Sequence, residues 1–413
     1  MQGQPGNGSA EAGATPQPDQ AALEREALGR VAHAVRHYRS GAGLEVARWQ
    51  HNLNQLSEWH RAMVPQLAEK IAAARQCIYR NHLFLSAMLA MFEEDSGWAP
   101  PHLAPANAAA DEYEDKVGAA VAPQDHDKVR YVLKNCARDW SAEGAAERAQ
   151  SYGRITAELR RLFAGWPADA PQPPSVLVPG AGLARLCLEI VNMGFQAQGN
   201  EFSYFMLLAS AYLLNGVERA EQWTIHPWCT ASCNQPTVAD QLRGVPIPDV
   251  YPAELVPAPG LLSMSAVGGR GDFAEVYASP EYAEAFDAVA CCFFLDTAHN
   301  VLEYLEVIWH ALRPGGYFVN LGPLLYHWAD AHTYLEGEEL SVELSLEEVK
   351  AAAAQVGFKL VRDEMVPAAF LCNERSMMQS STYNCAFWTM QKVDRAAAAT
   401  MAAGAAADQP AAK

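Results

Sequence analysis

The chain has 413 residues, a formal charge of −18 and a sequence pI of about 5.1. Such a length suits one large domain or two ordinary ones, and with half of the residues hydrophobic a sizeable core can form. The acidic balance disfavours nucleic acid and anionic membranes, no Lys/Arg run offers a local exception, and no apolar stretch approaches the roughly 20 residues of a membrane helix.

Residues 1–20, MQGQPGNGSAEAGATPQPDQ, have neither the basic nor the apolar region of a signal peptide, and their Gly/Pro/Ala/Gln bias predicts disorder. The nine cysteines are scattered and odd in number, with Cys291 and Cys292 inside an apolar run. They predict a reduced intracellular protein, not a disulfide framework.

Residues 21–164 read as a helical N-terminal region. Up to residue 92 the pattern is helical, with Leu44, Trp49, Leu53, Leu56 and Trp59 recurring at near-helical spacing. A Pro-rich, acidic loop follows near 94–122, beginning EEDSGWAPPHLAPANAAADEYED at residue 93. Residues 126–163 read as two more helices, broken near DWSAEG.

The character changes in a core expected over 165–393. Strand-like runs at 176–178, 195–201, 260–269, 286–295 and 317–321 alternate with helices, which predicts a parallel sheet covered by helices. SLEEVKAAAAQVGFKLVRDEM reads as a helix ending at Gly357 and then a strand. YNCAFWTMQKV is a last strand able to pair antiparallel with it, and the Ala-rich end, 394–413, is expected to stay mobile.

The first strand of this core runs into VPGAGLARL. Gly180 and Gly182 lack Cβ atoms, so the backbone there can approach a cofactor closely; the third small position is Ala184. Glu201 falls at the tip of the second strand, where a carboxylate can accept the ribose hydroxyls of an adenosine. Alone, this motif also suits a plain strand–turn–helix connection. FDAVACCFFLD adds a fourth strand with a carboxylate, Asp296, at its C-terminal edge, and ALRPGGYFVNLGPLLYH adds a fifth, ending at His327. Ligands of open α/β sheets bind at these ends. In GDF, after the third strand, Asp272 could take an adenine amine and Phe273 stack on the ring; a loop acid beside a core Phe is the equal alternative. F-D-x-V with L-R-P-G-G and an antiparallel terminal hairpin points to an S-adenosylmethionine methyltransferase. A dinucleotide dehydrogenase would more often show a second mononucleotide-binding half.

Longer strings carry a closer likeness: VLVPGAGLARL, QGNEFSYFML, CFFLDTAHN, LRPGGYFVNLGPLLYH, ELSLEEV and RDWSAEGAAER. With them the sequence resembles the carnosine N-methyltransferase (N2227-like) family over roughly residues 45–393. The resemblance implies a class I methyltransferase: an α/β, Rossmann-like, seven-stranded sheet with a terminal antiparallel hairpin. It implies S-adenosyl-L-methionine as methyl donor, the imidazole of carnosine or a related histidyl dipeptide as acceptor, and anserine as product. It also implies a homodimer, in the cytoplasm with the nucleus as a further compartment. Arg138, in RDWSAEG, would reach the donor carboxylate, and Asn135 stands where the family has Gln. Gly180, Glu201, Asp272, Phe273 and Cys292 match its cofactor positions, and Asp296, His327 and Tyr383 its substrate positions. Phe370 replaces a substrate-facing Tyr, and a Tyr-rich stretch becomes SSTY at 380–383. Those departures bear on acceptor fit. Gly also gives way to Ala184.

Methyl transfer from a sulfonium requires the acceptor to be positioned, water excluded and the acceptor lone pair left free. For an imidazole, a carboxylate accepting the far N–H fixes the tautomer, as the Asp of a Ser-His-Asp triad does. Asp296 is the candidate, with a helix N-cap in DTAHN as the ordinary alternative. His327 would bond the substrate's polar groups, Tyr383 would line the pocket and His299 would support Asp296. His226, Cys229 and Cys233 in HPWCTASC have loosely metal-like spacing but no evident fourth ligand, so no metal is expected. The rival functions are a protein-histidine methyltransferase and, from another class, a cofactor-binding partner without turnover. The presence of Asp296 and His327 argues against the second.

Overall fold

A computed structural model describes residues 20–96, 121–167, 169–266, 273–331, 340–370, 373–377 and 381–393. The expectations for both tails, for most of the Pro-rich loop, for Asp272 and for Ser380 lie outside the described residues.

The helical region holds α1 (Gln20–Arg36), α2 (Tyr38–Gln55), α3 (Glu58–Met63), α4 (Leu67–Ser96), α5 (Pro123–Trp140), α6 (Ala145–Gln150) and α7 (Tyr152–Leu162). Helix α4 runs to Ser96, into the stretch expected as loop. The second of the two expected helices is interrupted at Ser151. The buried face of α2 is Tyr38, Ala42, Val46 and Trp49, at spacings of four, four and three, whereas Leu44 is 60% exposed and Trp59 69% exposed. The apolar recurrence locates the helix, but the stripe that packs, mixing the large Tyr38 and Trp49 with the smaller Ala42 and Val46, is set by the tertiary contacts of α2.

The core contains β1 (Ser175–Pro179), α8 (Arg185–Asn192), β2 (Gln196–Glu201), α9 (Tyr204–Ala211), β3 (Trp223–Ile225), α10 (Val238–Leu242), β4 (Val245–Ile247), α11 (Pro252–Leu255), β5 (Leu262–Ala266), α12 (Phe273–Tyr277), β6 (Phe286–Cys292), α13 (Val301–Ala311), β7 (Leu312–Gly322), α14 (Leu346–Val356), β8 (Phe358–Ala369) and β9 (Thr382–Lys392). One seven-stranded sheet has the order β5-β2-β1-β6-β7-β9-β8. Its pairs from β5 to β7 are parallel, and β9 runs antiparallel to both β7 and β8. The terminal hairpin is thus formed as the sequence predicts. A small antiparallel pair, β3 with β4, was not legible because each strand is three residues long.

Strand β6 is apolar on both faces because helices cover both sides, so it reads as a run instead of an alternation. Its one early charge, Asp287, accepts the Ser175 N–H at 2.8 Å and the Arg313 guanidinium at 2.7 Å. The F-D and L-R-P-G-G motifs are therefore joined, at the end of the sheet away from the glycine turn. Helix α14 starts with a capping box between Ser345 and Glu348 and stops at Gly357 (φ +122°). The helical region shares its core with the sheet side: Phe84, Trp140 and Val31 belong to one buried cluster with Leu183, Leu188, Phe205 and Leu213.

Candidate active site

The strand order reverses between β1 and β6, and the connections leave their carboxyl ends in opposite directions. A cavity of about 340 Å³ opens there. Its floor is the turn Val178–Gly182, its sides are Glu201, Ser203, Met206, Cys292 and Phe293, and its roof is Asn135, Arg138, Glu147, Arg148, Ser151 and Tyr152 from α5 to α7. His327, Ala369 and Phe370 close the remaining side.

Gly180 and Gly182 adopt φ +63° and +55°. A Cβ on Gly180 would meet the Phe294 ring at 2.6 Å, whereas a Cβ on Gly182 would meet nothing within 4 Å. The first glycine is needed for packing, the second because the space beside it is left open. Ala184 is also left-handed (φ +60°), at the N-cap of α8. Glu201 ties the turn to β2: one carboxylate oxygen accepts the Gly182 N–H at 2.8 Å, the other the Ser203 N–H at 2.7 Å. Burial raises its carboxyl above the usual carboxylate range, against the pull of these N–H groups.

Arg138 gives its Nε and Nη2 hydrogens to Asp139 at 2.7 and 2.8 Å. Nη1 is then the nitrogen left for an anion in the cavity. Burial works against the charge, but Asp139 and Tyr152 outweigh it and raise the guanidinium above its ordinary value. The Phe370 ring lies 5.0 Å from the guanidinium carbon and 4.7 Å from the Phe293 ring. Asn135 lines the cavity and donates to the Tyr131 carbonyl one turn back. Burial pushes the Cys292 thiol up to about 12, so it is a wall group and not a nucleophile.

Asp296 is 2% exposed, in a short 3-10 turn after β6. It is not the N-cap of α13, a role that Asn300 takes. Asp296 Oδ2 accepts the Leu325 N–H at 2.8 Å, and its main-chain oxygen accepts the His327 N–H at 3.1 Å. Asp296 thus lies directly behind the His327 wall. Burial raises its carboxyl; the Leu325 N–H and His327 pull the other way. Tyr383 stands behind Phe293, ring centroids 5.9 Å apart. His299 bonds the Leu340 carbonyl through Nδ1 at 2.9 Å and stacks on Trp328. Phe273 is 3% exposed and packs among Tyr277, Phe294 and Tyr304, on the core side of the sheet end. His226 bonds the Leu242 carbonyl and Cys233 is exposed. Among the described residues no group of three or more His, Cys, Asp or Glu could hold a metal ion.

With this geometry in view, the likeness to known proteins can be placed. The family model described as carnosine N-methyltransferase matches residues 116–394. The chain is 36% identical over 398 residues to the carnosine N-methyltransferase of Mus musculus, covering 94% of this chain and 90% of that one. It is 40% identical over 258 residues to that of Schizosaccharomyces pombe (61% and 67% covered). It is 33% identical over 382 residues to the Drosophila melanogaster carnosine N-methyltransferase unmet (90% and 80% covered).

The chain belongs to the carnosine N-methyltransferase family. As a member of that family it is an S-adenosylmethionine-dependent methyltransferase, and the cavity suits the donor. Open space lies beside Gly182, a carboxylate lies at the β2 tip, and one guanidinium nitrogen remains for an anion. The matched span begins before α5, so the roof is part of the family unit. Sequence reasoning missed several wall residues, among them Tyr152, Ser151, Arg148 and Phe293. Phe293, at φ +54°, had no signal in the sequence.

Proposed function

We propose that this enzyme methylates the imidazole of carnosine, or of a closely related histidyl dipeptide, to give anserine. The observation that carries this reading is the family membership of the chain, together with a cavity that has the Gly182–Glu201 unit on one side and His327 on another; Asp296 lies next to His327, its main-chain oxygen accepting the His327 N–H. The bound donor supplies an electrophilic methyl group already activated by the sulfonium charge. Glu201 accepts the ribose hydroxyls, Arg138 Nη1 bonds the donor carboxylate, and Asn135 and Tyr152 cover it. Phe293 and Phe370 offer apolar faces for the acceptor ring and exclude water.

The acceptor needs no strong base, because an imidazole of pKa near 6.5 is largely neutral at pH 7. It needs its proton on the nitrogen away from the methyl. Asp296 Oδ2 is taken by the Leu325 N–H, so Oδ1 is the oxygen that accepts this proton's hydrogen bond. The lone pair of the nitrogen nearest the side-chain carbon then faces the methyl, and the carboxylate balances the positive charge that develops on the ring. His327 bonds the polar backbone of the dipeptide. We place the enzyme in the cytoplasm, with the nucleus as a further compartment, as a homodimer without a nucleic-acid partner.

The test is transfer of labelled methyl to carnosine, free histidine and a histidine-containing peptide, with NMR of the product. Carnosine is expected to accept at the nitrogen nearest the side-chain carbon. Preference for the peptide, or methylation at the far nitrogen, overturns the proposal.

A further inference from the structure

Asp249 plays no part in the site as described so far, yet four bonds tie it to the roof and to the helix that follows the glycine turn. Its Oδ2 accepts from Arg148 Nη2 at 2.6 Å and from Arg185 Nη2 at 3.3 Å, its Oδ1 from Arg185 Nη1 at 2.5 Å, and its own N–H donates to the Trp140 carbonyl at 2.9 Å. Both arginines continue to backbone. Arg148 Nη1 donates to the carbonyls of Arg138 and Ser141 at 2.6 and 2.8 Å. Arg185 Nη1 donates to the carbonyl of Asp139 at 3.0 Å.

These carbonyls belong to the last turn of α5 and the residue after it, where helical partners run out. Arg185 is the first residue of α8, directly after the glycine turn. The Trp140 indole closes the circuit by donating to the Leu183 carbonyl at 3.1 Å, with the Arg185 guanidinium 5.3 Å from its ring.

We infer that Asp249 is a positioning residue for methyl-donor binding: it holds Arg148 and Arg185 together so that the carbonyls of Arg138 and of the residues just after it stay at a fixed distance from the glycine turn. The inference rests on the reading of this cavity as the donor site. Both guanidiniums are largely buried, at 7% side-chain exposure; Asp249 is the counter-charge they share, and Arg185 has a further one in Glu189 at 3.1 Å. Burial lowers the Arg148 guanidinium, the neighbouring Arg185 adds to this, and Asp249 opposes both. Without the carboxylate the two cations repel, and the end of α5 loses its register against α8. Arg138 Nη1 would then miss the donor carboxylate while Asp296, His327 and Phe293 stay in place.

The experiment compares wild type, Asp249→Asn and Asp249→Glu in the full chain. Donor affinity is read by calorimetry with S-adenosylmethionine, and KM for carnosine at saturating donor is read separately. Asp249→Asn is expected to weaken donor binding about 10- to 100-fold, the range for misplacing a binding group by about 1 Å. KM for carnosine should change less than about threefold, and Asp249→Glu should recover part of the loss. A folded Asp249→Asn with wild-type donor affinity overturns the inference, as does an equal rise in both constants. If Asp249→Asn does not fold, Arg148→Lys, which keeps the charge but cannot reach both carbonyls and the carboxylate, is read in the same way. Failure of both to fold makes the cluster a staple of the fold and also overturns the inference. A wild type that fails to bind the donor refutes the reading of the cavity instead.

Discussion

At Gly182 a Cβ would enter open space beside the turn, in a backbone conformation that side chains rarely adopt. Gly182→Val is therefore expected to abolish S-adenosylmethionine binding, both by filling the donor's space and by straining φ, with the protein still folded. Glu201→Ala removes two N–H acceptors as well as the ribose contact, so it should cost a few kcal/mol of donor affinity and some stability, about 1 kcal/mol per backbone bond. Calorimetry and melting curves on the two variants separate the effects. Unchanged donor affinity in both would remove the site. Asp296 is tested at the same scale. Asp296→Ala is expected to leave donor affinity intact and to lower kcat by roughly 10²–10⁴. Burial raises the Asp296 carboxyl, so as pH falls it takes up a proton earlier than an ordinary aspartate would. The acceptor imidazole, with pKa about 6.5, loses its lone pair in the same direction. Wild-type kcat/KM should thus fall on the acid side through both groups, and Asp296→Asn should keep only the limb set by the substrate. An identical acid limb in the two proteins at low pH would remove Asp296 from the chemistry.

Elements were legible where local chemistry and long-range packing agree. Helix α14, its Gly357 stop and the five parallel strands follow from residues whose partners are close in sequence or which alternate with helices in a regular way. The turn that floors the cavity was legible for the same reason, since Gly180, Gly182 and Glu201 lie within one strand–turn–helix–strand unit. The face of α2, the pair β3–β4 and most of the roof over the cavity were not, because each is decided by contacts between distant segments; Arg138 and Asn135 of the roof entered only through the family resemblance. Glu158 is an example at this scale. It was silent in the sequence, yet it joins α7 to both strands of the terminal hairpin through Arg362 and Thr389, each at 2.7 Å. Burial alone would push its carboxyl up, but Arg161, Thr389 and Arg362 outweigh it and hold it at about 2. A folded value below the unfolded one means stability present above about pH 4.3, the ordinary glutamate value, and lost as pH falls towards 2. Glu158→Gln should therefore lower stability by about 1–3 kcal/mol at pH 7. The gap to wild type should close on acidification, as followed by denaturant melts between neutral pH and pH 2.5; a gap independent of pH would mean that the charge is not what holds the hairpin.

For the whole molecule, the question is whether the α/β core is a unit by itself. Its sheet begins at residue 175, and among the described residues every strand lies at or beyond that point. Two observations make the helical region a partner in both stability and function. The first is shared burial: Phe84, Leu133 and Trp140 pack in one cluster with Leu183, Leu188, Phe205, Leu208 and Leu213, so removing the helices bares the face of the core that carries α8 and α9. The second is shared chemistry: Asn135, Arg138 and Tyr152 line the cavity from one side of residue 165, Gly182 and Glu201 from the other. A chain of residues 165–393 is expected to be insoluble or molten, with exposed apolar surface that binds a hydrophobic dye. Where a soluble fraction is recovered, it should bind S-adenosylmethionine at least about 100-fold more weakly than the full chain, because the guanidinium and the water-excluding roof are missing. Co-expression of residues 1–164 as a separate chain should restore donor binding, since the contacts between the pieces are packing, hydrogen bonds and ion pairs, among them Arg148–Asp249, Glu158–Arg362 and Glu143–Arg243. Gel filtration of the co-expressed pieces and calorimetry with the donor check this. A soluble 165–393 chain with full-length affinity would show that the roof is dispensable for the donor, and would limit Arg138 to holding Asp139 and Phe370 in place.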